Sequence, residues 1–129
     1  MGYYTSYKLK VRPLVEPIDS NLIEIAKLID LKLDTVIFDD WEQEHIQDYN
    51  VIDVGFELKG KGIFYVLEEV SKMFPEYTFS LEGRGDDFPD DWWVQYFKGG
   101  NRSKKIYASI IVPQNNVDND TRVKFNVID

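Results

Sequence analysis

Four aspartates in one short run are the side chains whose types and spacing come nearest to a chemical site. The run from Asp86 to Asp91 could offer oxygen ligands to Ca²⁺ or Mg²⁺. It lacks the alternating aspartates and the closing glutamate of an EF-hand loop, and Pro89 restrains its backbone. Paired carboxylates also serve glycoside hydrolysis, but the sequence defines no separation between them. We predict no metal site, and we leave open whether these side chains converge: Asp86, Asp87, Asp90 and Asp91.

Other catalytic combinations are missing from the sequence. His45 is the only histidine and there is no cysteine, so a zinc site would need an unusual carboxylate-rich ligand set. No serine lies in the glycine pattern of a nucleophile elbow. The Gly83-Arg84-Gly85 segment is too short for a phosphate-binding loop and lacks the lysine of that motif. We therefore predict that the protein is not an enzyme and uses no cofactor.

The distribution of charge predicts the sign of a partner. The 129 residues include 23 acidic and 15 basic side chains, which gives a net charge of −8. Such a chain repels phosphate backbones, so we expect no direct binding to nucleic acid. The stretch from Asp34 to Glu57 carries eight carboxylates and neither Lys nor Arg. We predict an acidic surface that meets a basic partner, including mimicry of DNA, through Asp39, Asp40, Glu42 and Glu44.

Alternation of apolar and polar residues predicts the strands. The first runs from Tyr3 to Val11, with odd-numbered residues on one side and even-numbered residues on the other. The glycines between Lys98 and Ser103 suit a hairpin connection between two later strands. Further strands are predicted over residues 51–59, 77–82, 92–97 and 106–112, and residues 122–128 are a candidate additional edge strand.

Apolar residues at helical spacing predict two helices. The first covers about residues 20–31 and follows the capping residues Asp19 to Asn21. The second runs from Ile63 to Phe74, where Pro75 ends it. Residues 34–50 have two interpretations, a short strand at 36–38 or an acidic helical turn at 41–47, and the sequence does not separate them.

These elements together predict one α+β domain that spans residues 1–129. Its order is β-α-β-α-β-β-β. The expected architecture is a two-layer sandwich, in which a mostly antiparallel sheet of about five strands carries two helices on one face. The other face of the sheet would then meet solvent or a partner.

Aromatic residues of the later strands must lie on both sides of that sheet. We expect the uncovered face to include some members of one set: Tyr4, Thr78, Ser80, Trp93, Phe97 and Tyr107. Exposed aromatic side chains of this kind mark binding surfaces, so Trp93 and Tyr107 are candidate contact residues. A homodimer interface, or cover by residues 34–50, is an equally good explanation.

A small nucleotide is the alternative ligand. Aromatic side chains would stack on its base, and basic side chains would meet its phosphates. The basic candidates are Arg84, Arg102, Lys104 and Lys105.

The compartment follows from what the sequence lacks. There is no cysteine, which favours a reducing environment. There is no apolar run suited to a signal peptide, and no stretch approaches the roughly 20 apolar residues of a membrane span. We expect a cytoplasmic protein that does not act at a membrane.

One block of residues carries a resemblance. It comprises Phe74-Pro75, Phe79-x-Leu81-x-Gly83-x-Gly85, Asp91-x-Trp93 and Tyr96-Phe97-x-Gly99, preceded by the strand Tyr4-Thr5-Ser6-Tyr7-Lys8-Leu9. This pattern resembles a group of small uncharacterised proteins common in phage and prophage genomes. Here the loop before Trp93 is one residue longer, and Arg84 stands where that group more usually has an acidic residue. The resemblance implies a virus–host accessory factor that acts in the bacterial cytoplasm. Together with the acidic segment, the aromatic sheet face and the lack of a catalytic combination, this setting predicts that the protein engages a host protein.

Overall fold

A computed structural model describes residues 4–15, 21–84, 92–111 and 122–127 of the chain. Within these residues, three α-helices and seven strands follow one another in the order β-α-α-β-α-β-β-β-β-β. The helices are α1 (Leu22–Leu33), α2 (Asp40–Tyr49) and α3 (Gly62–Met73). The strands are β1 (Tyr4–Pro13), β2 (Ile52–Lys59), β3 (Tyr77–Arg84), β4 (Trp92–Lys98), β5 (Asn101–Arg102), β6 (Ile106–Ile111) and β7 (Arg122–Val127).

The strands form a single sheet in which every described pair is antiparallel. Its order is β2-β1-β3-β4-β6-β7, and the short strand β5 pairs with β4. The strand β1 therefore lies between β2 and β3, and α3 makes the connection that crosses over it. This arrangement confirms the predicted α+β class with a mostly antiparallel sheet.

One face of the sheet is buried because apolar residues alternate along each strand. The buried side chains of this face include Leu9, Val54, Leu81 and Phe97. Directly opposite residues of antiparallel strands share a face, and the register pairs Leu9 with both Val54 and Leu81. The same core contains the buried residues of the helices: Leu22, Ile25, Ala26, Ile29, Ile46, Ile63, Phe64, Val66, Leu67 and Val70.

The two predicted helices form where the helical spacing of apolar residues indicates. The first begins two residues later than predicted and ends at Leu33; Asp34, the C-cap, adopts the left-handed conformation with φ 54°. The second, α3, ends before Pro75, because the residue before a proline is displaced from helical geometry. Their apolar stripes pack on each other and on the sheet.

The segment between the first helix and β2 contains a third helix. Of the two interpretations of residues 34–50, the acidic helical one is confirmed, as α2. Residues 36–38 form no strand; instead Asp30 of α1 holds them, since its Oδ1 accepts a hydrogen bond from the Ile37 N–H (2.9 Å) and its Oδ2 from the Phe38 N–H (3.0 Å). Phe38 and Ile46 reach the core with exposed fractions of 2% and 4%. The prediction of two helices is thus corrected to three.

The opposite, open face of the sheet differs from the predicted one. Thr78 and Ser80 lie on it, as expected, but Trp93 and Phe97 are buried on the helix-covered face with exposed fractions of 7% and 0%. Among the residues whose side chains the structure describes, the aromatic residues of the open face are instead Trp92 and Tyr96, which pair with Arg84 and Ser80 of β3. Tyr107 pairs with Trp93 and packs half-buried against the core. The side chain of Tyr4 lies outside the described residues.

Candidate functional site

Exposed aromatic rings form a row along α2. Trp41, His45 and Tyr49 occupy positions four residues apart, so they lie on one side of the helix. The rings of Trp41 and His45 stack with centroids 5.6 Å apart, and those of His45 and Tyr49 lie 4.6 Å apart. Trp41 is 66% exposed and Tyr49 is 67% exposed. Rings this exposed contribute little to the core, which leaves them available to a ligand or partner.

Carboxylates run beside this row of rings. Glu44 and Asp48 are one turn apart on α2, and with the three rings they line a shallow depression of about 270 Å³. The helix carries no Lys or Arg. The surface therefore combines flat aromatic faces with uncompensated negative charge. We name the surface formed by Trp41, Glu44, His45, Asp48 and Tyr49 the α2 face.

The predicted acidic residues Asp39, Asp40, Glu42 and Glu44 all belong to this helix or its cap. Asp39 is the N-cap, and its Oδ1 accepts a hydrogen bond from the Glu42 N–H (2.9 Å). Asp40 and Glu44 are exposed. Carboxylates at the start of a helix interact favourably with the positive end of the helix dipole. Asp39 and Asp40 therefore stabilise α2, besides adding negative charge to its surface. Of the four predicted residues, Glu44 lies in the α2 face.

Glu42 is the carboxylate whose ionisation the fold disfavours. Partial burial raises its pKa from the ordinary value of 4.5, and the negative charges of Asp39 and Asp53 raise it further. His45 acts in the opposite direction. Repulsion among carboxylates is therefore present in the protein itself, and a cation at this surface would relieve it.

The α2 face is held in place by the residues beneath it. Phe38 and Ile46 anchor the helix to the core, and the Gln43 side chain donates to the Phe38 carbonyl oxygen (2.9 Å). Asn50 ends the helix in the left-handed conformation, with φ 52°, and its N–H donates to the Ile46 carbonyl oxygen (2.8 Å). Because the rings stand on an anchored helix, little order has to be gained on binding.

Arg84 lies on the open sheet face, at the end of β3. Its Nη2 is 3.2 Å from Glu82 Oε1, and its guanidinium lies 4.7 Å from the centre of the Trp92 ring. The Trp92 indole N–H also donates to Glu82 Oε1. Arg84, Glu82 and Trp92 are thus engaged with one another.

The other predicted contact residues lie on the helix-covered side. Trp93 stacks on Phe64 with ring centroids 5.6 Å apart, and Lys105 Nζ lies 4.4 Å from the centre of the Trp93 ring. Arg102 forms an ion pair with Glu68 of α3 (2.6 Å). Partial burial, together with the charges of Lys61 and Arg102, lowers the pKa of Lys105. The predicted nucleotide-binding set of Arg84, Arg102, Lys104 and Lys105 is therefore divided, since Arg84 lies on the opposite face of the sheet from Arg102 and Lys105.

The predicted site lacks four residues of the α2 face: Trp41, His45, Asp48 and Tyr49. Trp41 and Tyr49 each lie four residues from His45 in the sequence, but this spacing places the three rings on one side only if the segment is helical. The acidic aspartates at 86–91 lie outside the described residues.

Within the described part of the chain, no group of three or more His, Cys, Asp or Glu side chains is arranged to hold a metal ion. No helix among the described residues has the length and apolar character needed to cross a lipid bilayer. No protein-family model matches this chain, and no curated protein and no solved structure is significantly similar to it.

Proposed function

We propose that this protein is a non-enzymatic binding protein whose α2 face docks a basic segment of a protein partner. The observation that carries the proposal is the exposed row of Trp41, His45 and Tyr49 with Glu44 and Asp48 beside it. Tryptophan and tyrosine are the residue types most enriched at the energetic centres of protein interfaces. An exposed aromatic row on a surface helix is therefore better explained by contact with a partner than by the stability of the chain.

The charge around the α2 face selects the chemistry of that partner. Eight carboxylates and no Lys or Arg lie between Asp34 and Glu57. An arginine side chain stacks its guanidinium on an aromatic ring and pairs with a carboxylate through two hydrogen bonds. Trp41 and Tyr49 offer such rings, and Glu44 and Asp48 offer such carboxylates. We therefore expect a partner segment that presents arginine in preference to lysine.

A symmetric dimer in which two α2 faces meet is an unfavourable arrangement for this surface. Two α2 faces brought together would place like charges opposite one another, which costs free energy when the charges lose water. A homodimer through another surface stays open.

The resemblance to phage and prophage proteins suggests where the partner would be found. In that setting the partner is a protein of a bacterial host, met in the cytoplasm. An acidic, helical surface also suits mimicry of DNA, and the partner would then be a DNA-binding protein that is inhibited when its basic surface is occupied.

The experiment is a titration of a labelled peptide of alternating arginine and glycine, followed by fluorescence anisotropy. We expect binding that weakens with added salt, and weakens by about tenfold in the double variant Trp41→Ala and Tyr49→Ala. The matched control is Tyr65→Ala, because Tyr65 is also 66% exposed and lies on a helix, but outside the α2 face. The same peptide with lysine in place of arginine should bind more weakly, and one with glutamate should not bind.

Equal affinity of the wild type and the Trp41/Tyr49 variant would reject the α2 face as the docking surface. Equal losses in that variant and in Tyr65→Ala would reject it as well. A pull-down from bacterial lysate with the same variants then tests the host partner. A specific partner should be recovered by the wild type and by Tyr65→Ala, and lost with Trp41→Ala and Tyr49→Ala.

A further inference from the structure

The open face of the sheet carries positive charge, although the chain is acidic. Alternation along β1 to β4 places six basic and three acidic side chains on this face, whereas the whole chain has a net charge of −8. The basic residues are Lys8, Lys10, Arg12, Lys59, Arg84 and Lys98, and the acidic residues are Asp53, Glu57 and Glu82. Charge is thus segregated, with acid on α2 and base on the sheet.

Two adjoining depressions lie on this face. One has a volume of about 260 Å³ and the other about 270 Å³, and both are lined by Lys8 and Glu82. The first extends to Ser6 and Arg84, and the second to Lys10, Ser80 and Tyr96. Ligand pockets for small molecules begin at about 300 Å³, so the two depressions reach that size only when they are occupied together.

The carboxylate between the two depressions is already engaged. Glu82 Oε1 accepts hydrogen bonds from Arg84 and from the Trp92 indole. The nearest acid to Lys8 is Asp53, whose Oδ1 is 3.8 Å from Lys8 Nζ, at the outer limit of an ion pair. Lys10 forms no ion pair with any described residue. The depressions therefore hold two ammonium groups with little compensating charge, which favours an anion.

Aromatic and apolar side chains line the second depression next to these lysines. Tyr96 is 43% exposed and stands opposite Ser80, which in turn pairs with Lys10 across the sheet. Val94 and Ile106 pair with each other and form the apolar floor of the second depression. The backbone at Tyr96 is fixed by Ser103, whose hydroxyl accepts from the Tyr96 N–H (2.9 Å). A flat ring could lie on this floor against Tyr96.

We infer that this face binds a mononucleotide, with its phosphate between Lys8 and Lys10 and its base against Tyr96. The two ammonium groups favour a phosphorylated ligand because their charge is complementary to phosphate. The side chains of Tyr96, Val94 and Ile106 favour a ligand that carries an aromatic base. The Ser80 hydroxyl lies beside the lysines as a further hydrogen-bond partner, whereas the Ser6 hydroxyl already donates to Glu57 Oε1 (3.3 Å). Because the site is shallow, we expect the mononucleotide to bind weakly, with a dissociation constant of about 0.1 mM.

The test is a titration of the full chain with adenosine monophosphate, with adenosine and with inorganic phosphate, by isothermal calorimetry. Lys10→Gln should weaken binding of adenosine monophosphate by about fivefold or more, because one ammonium contact is lost. Lys27→Gln, which removes an exposed charge from α1, is the matched control and should leave the affinity unchanged. Tyr96→Ala should weaken binding of adenosine monophosphate but not of phosphate.

Several results would overturn the assignment. These are the absence of binding at about 10 mM nucleotide, equal losses in Lys10→Gln and Lys27→Gln, or an unaltered nucleotide affinity in Tyr96→Ala. If single-stranded oligonucleotides bind with an affinity that rises steeply with their length, the ligand of this face is a nucleic acid and not a mononucleotide. This experiment tests a surface separate from the α2 face, because no residue of the α2 face lines either depression. Failure of the nucleotide proposal would therefore leave the proposed function standing.

Discussion

The indole ring of Trp93 lies directly on Gly83 of the neighbouring strand. The two residues are paired across β3 and β4, and a Cβ atom on Gly83 would overlap ring atoms Cζ2 and Cε2 of Trp93 and lie 2.9 Å from Cη2. Only glycine leaves this space. The ring is thereby buried between the sheet and Phe64 of α3, which removes Trp93 from the exposed surface.

This contact predicts that Gly83→Ala destabilises the protein by about 1 to 3 kcal/mol, because the buried ring has to move to make room for the methyl group. The matched control is Gly55→Ala in β2, where a Cβ atom would lie 3.8 Å from the Tyr7 carbonyl oxygen, at ordinary contact distance. We expect the control to change stability by less than about 0.5 kcal/mol. Urea denaturation measures both, and equal effects of the two variants would contradict the account.

The same contact explains which part of the sheet was predictable. Alternation separates Trp92, Val94 and Tyr96 from Trp93, Gln95 and Phe97, but both sets contain two aromatic residues. Which set faces the helices depends on the register between β3 and β4, and a shift of one residue exchanges the two faces. Residues 85–91 lie between those strands, and their sequence does not fix that register. Gly83, opposite Trp93, is the sequence feature that indicates that the Trp93 ring lies on the helix-covered face.

The helix α2 was only partly predictable for a different reason. Its sequence is polar, and its apolar contact with the core comes from Ile46 together with Phe38, which precedes the helix. A helical pattern of apolar residues is therefore absent, and tertiary contacts decide the conformation. The helix is instead stabilised by its capping residue Asp39 and by the hydrogen bonds that the Asp30 carboxylate accepts from the Ile37 and Phe38 N–H groups. The aromatic row could be recognised only once the helix was known.

Asp30 predicts a second test, since its carboxylate holds the start of the α2 segment. Asp30→Asn replaces one acceptor oxygen with an amide that cannot accept from a backbone N–H, so one of the bonds to Ile37 and Phe38 is lost. We expect a loss of about 1 to 3 kcal/mol by urea denaturation. Faster hydrogen exchange at the Ile37 or Phe38 amide should accompany it.

Asp34→Asn is the control for that change. Asp34 is exposed in the left-handed conformation, which asparagine also tolerates, and its side chain makes no hydrogen bond with any described residue. It should alter stability by less than about 0.5 kcal/mol. An Asp30→Asn protein as stable as the control would show that the carboxylate does not hold the segment.

Glu42 predicts a pH dependence with a definite sign. Burial and neighbouring carboxylates raise its pKa in the folded protein above 4.5, so the folded state binds this proton more tightly than the unfolded chain. Its charge therefore lowers stability at neutral pH, and Glu42→Gln should be more stable than the wild type there, by less than about 1 kcal/mol. The difference should shrink as the pH falls through the window just above 4.5. A Glu42→Gln protein that is less stable than the wild type at neutral pH would contradict this prediction.

Lys105 predicts the opposite kind of shift. Partial burial over Phe64 and Trp93, and then the charges of Lys61 and Arg102, lower its pKa below 10.5. Because the folded state binds this proton less tightly than the unfolded chain, its contribution to stability grows as the pH rises through the window below 10.5. Competitive acetylation across a pH series, measured by mass spectrometry, should give a midpoint below 10.5 for Lys105. Lys61→Gln should move that midpoint upward, since it removes a repelling charge, and a midpoint that does not respond would exclude the charge of Lys61 as a cause.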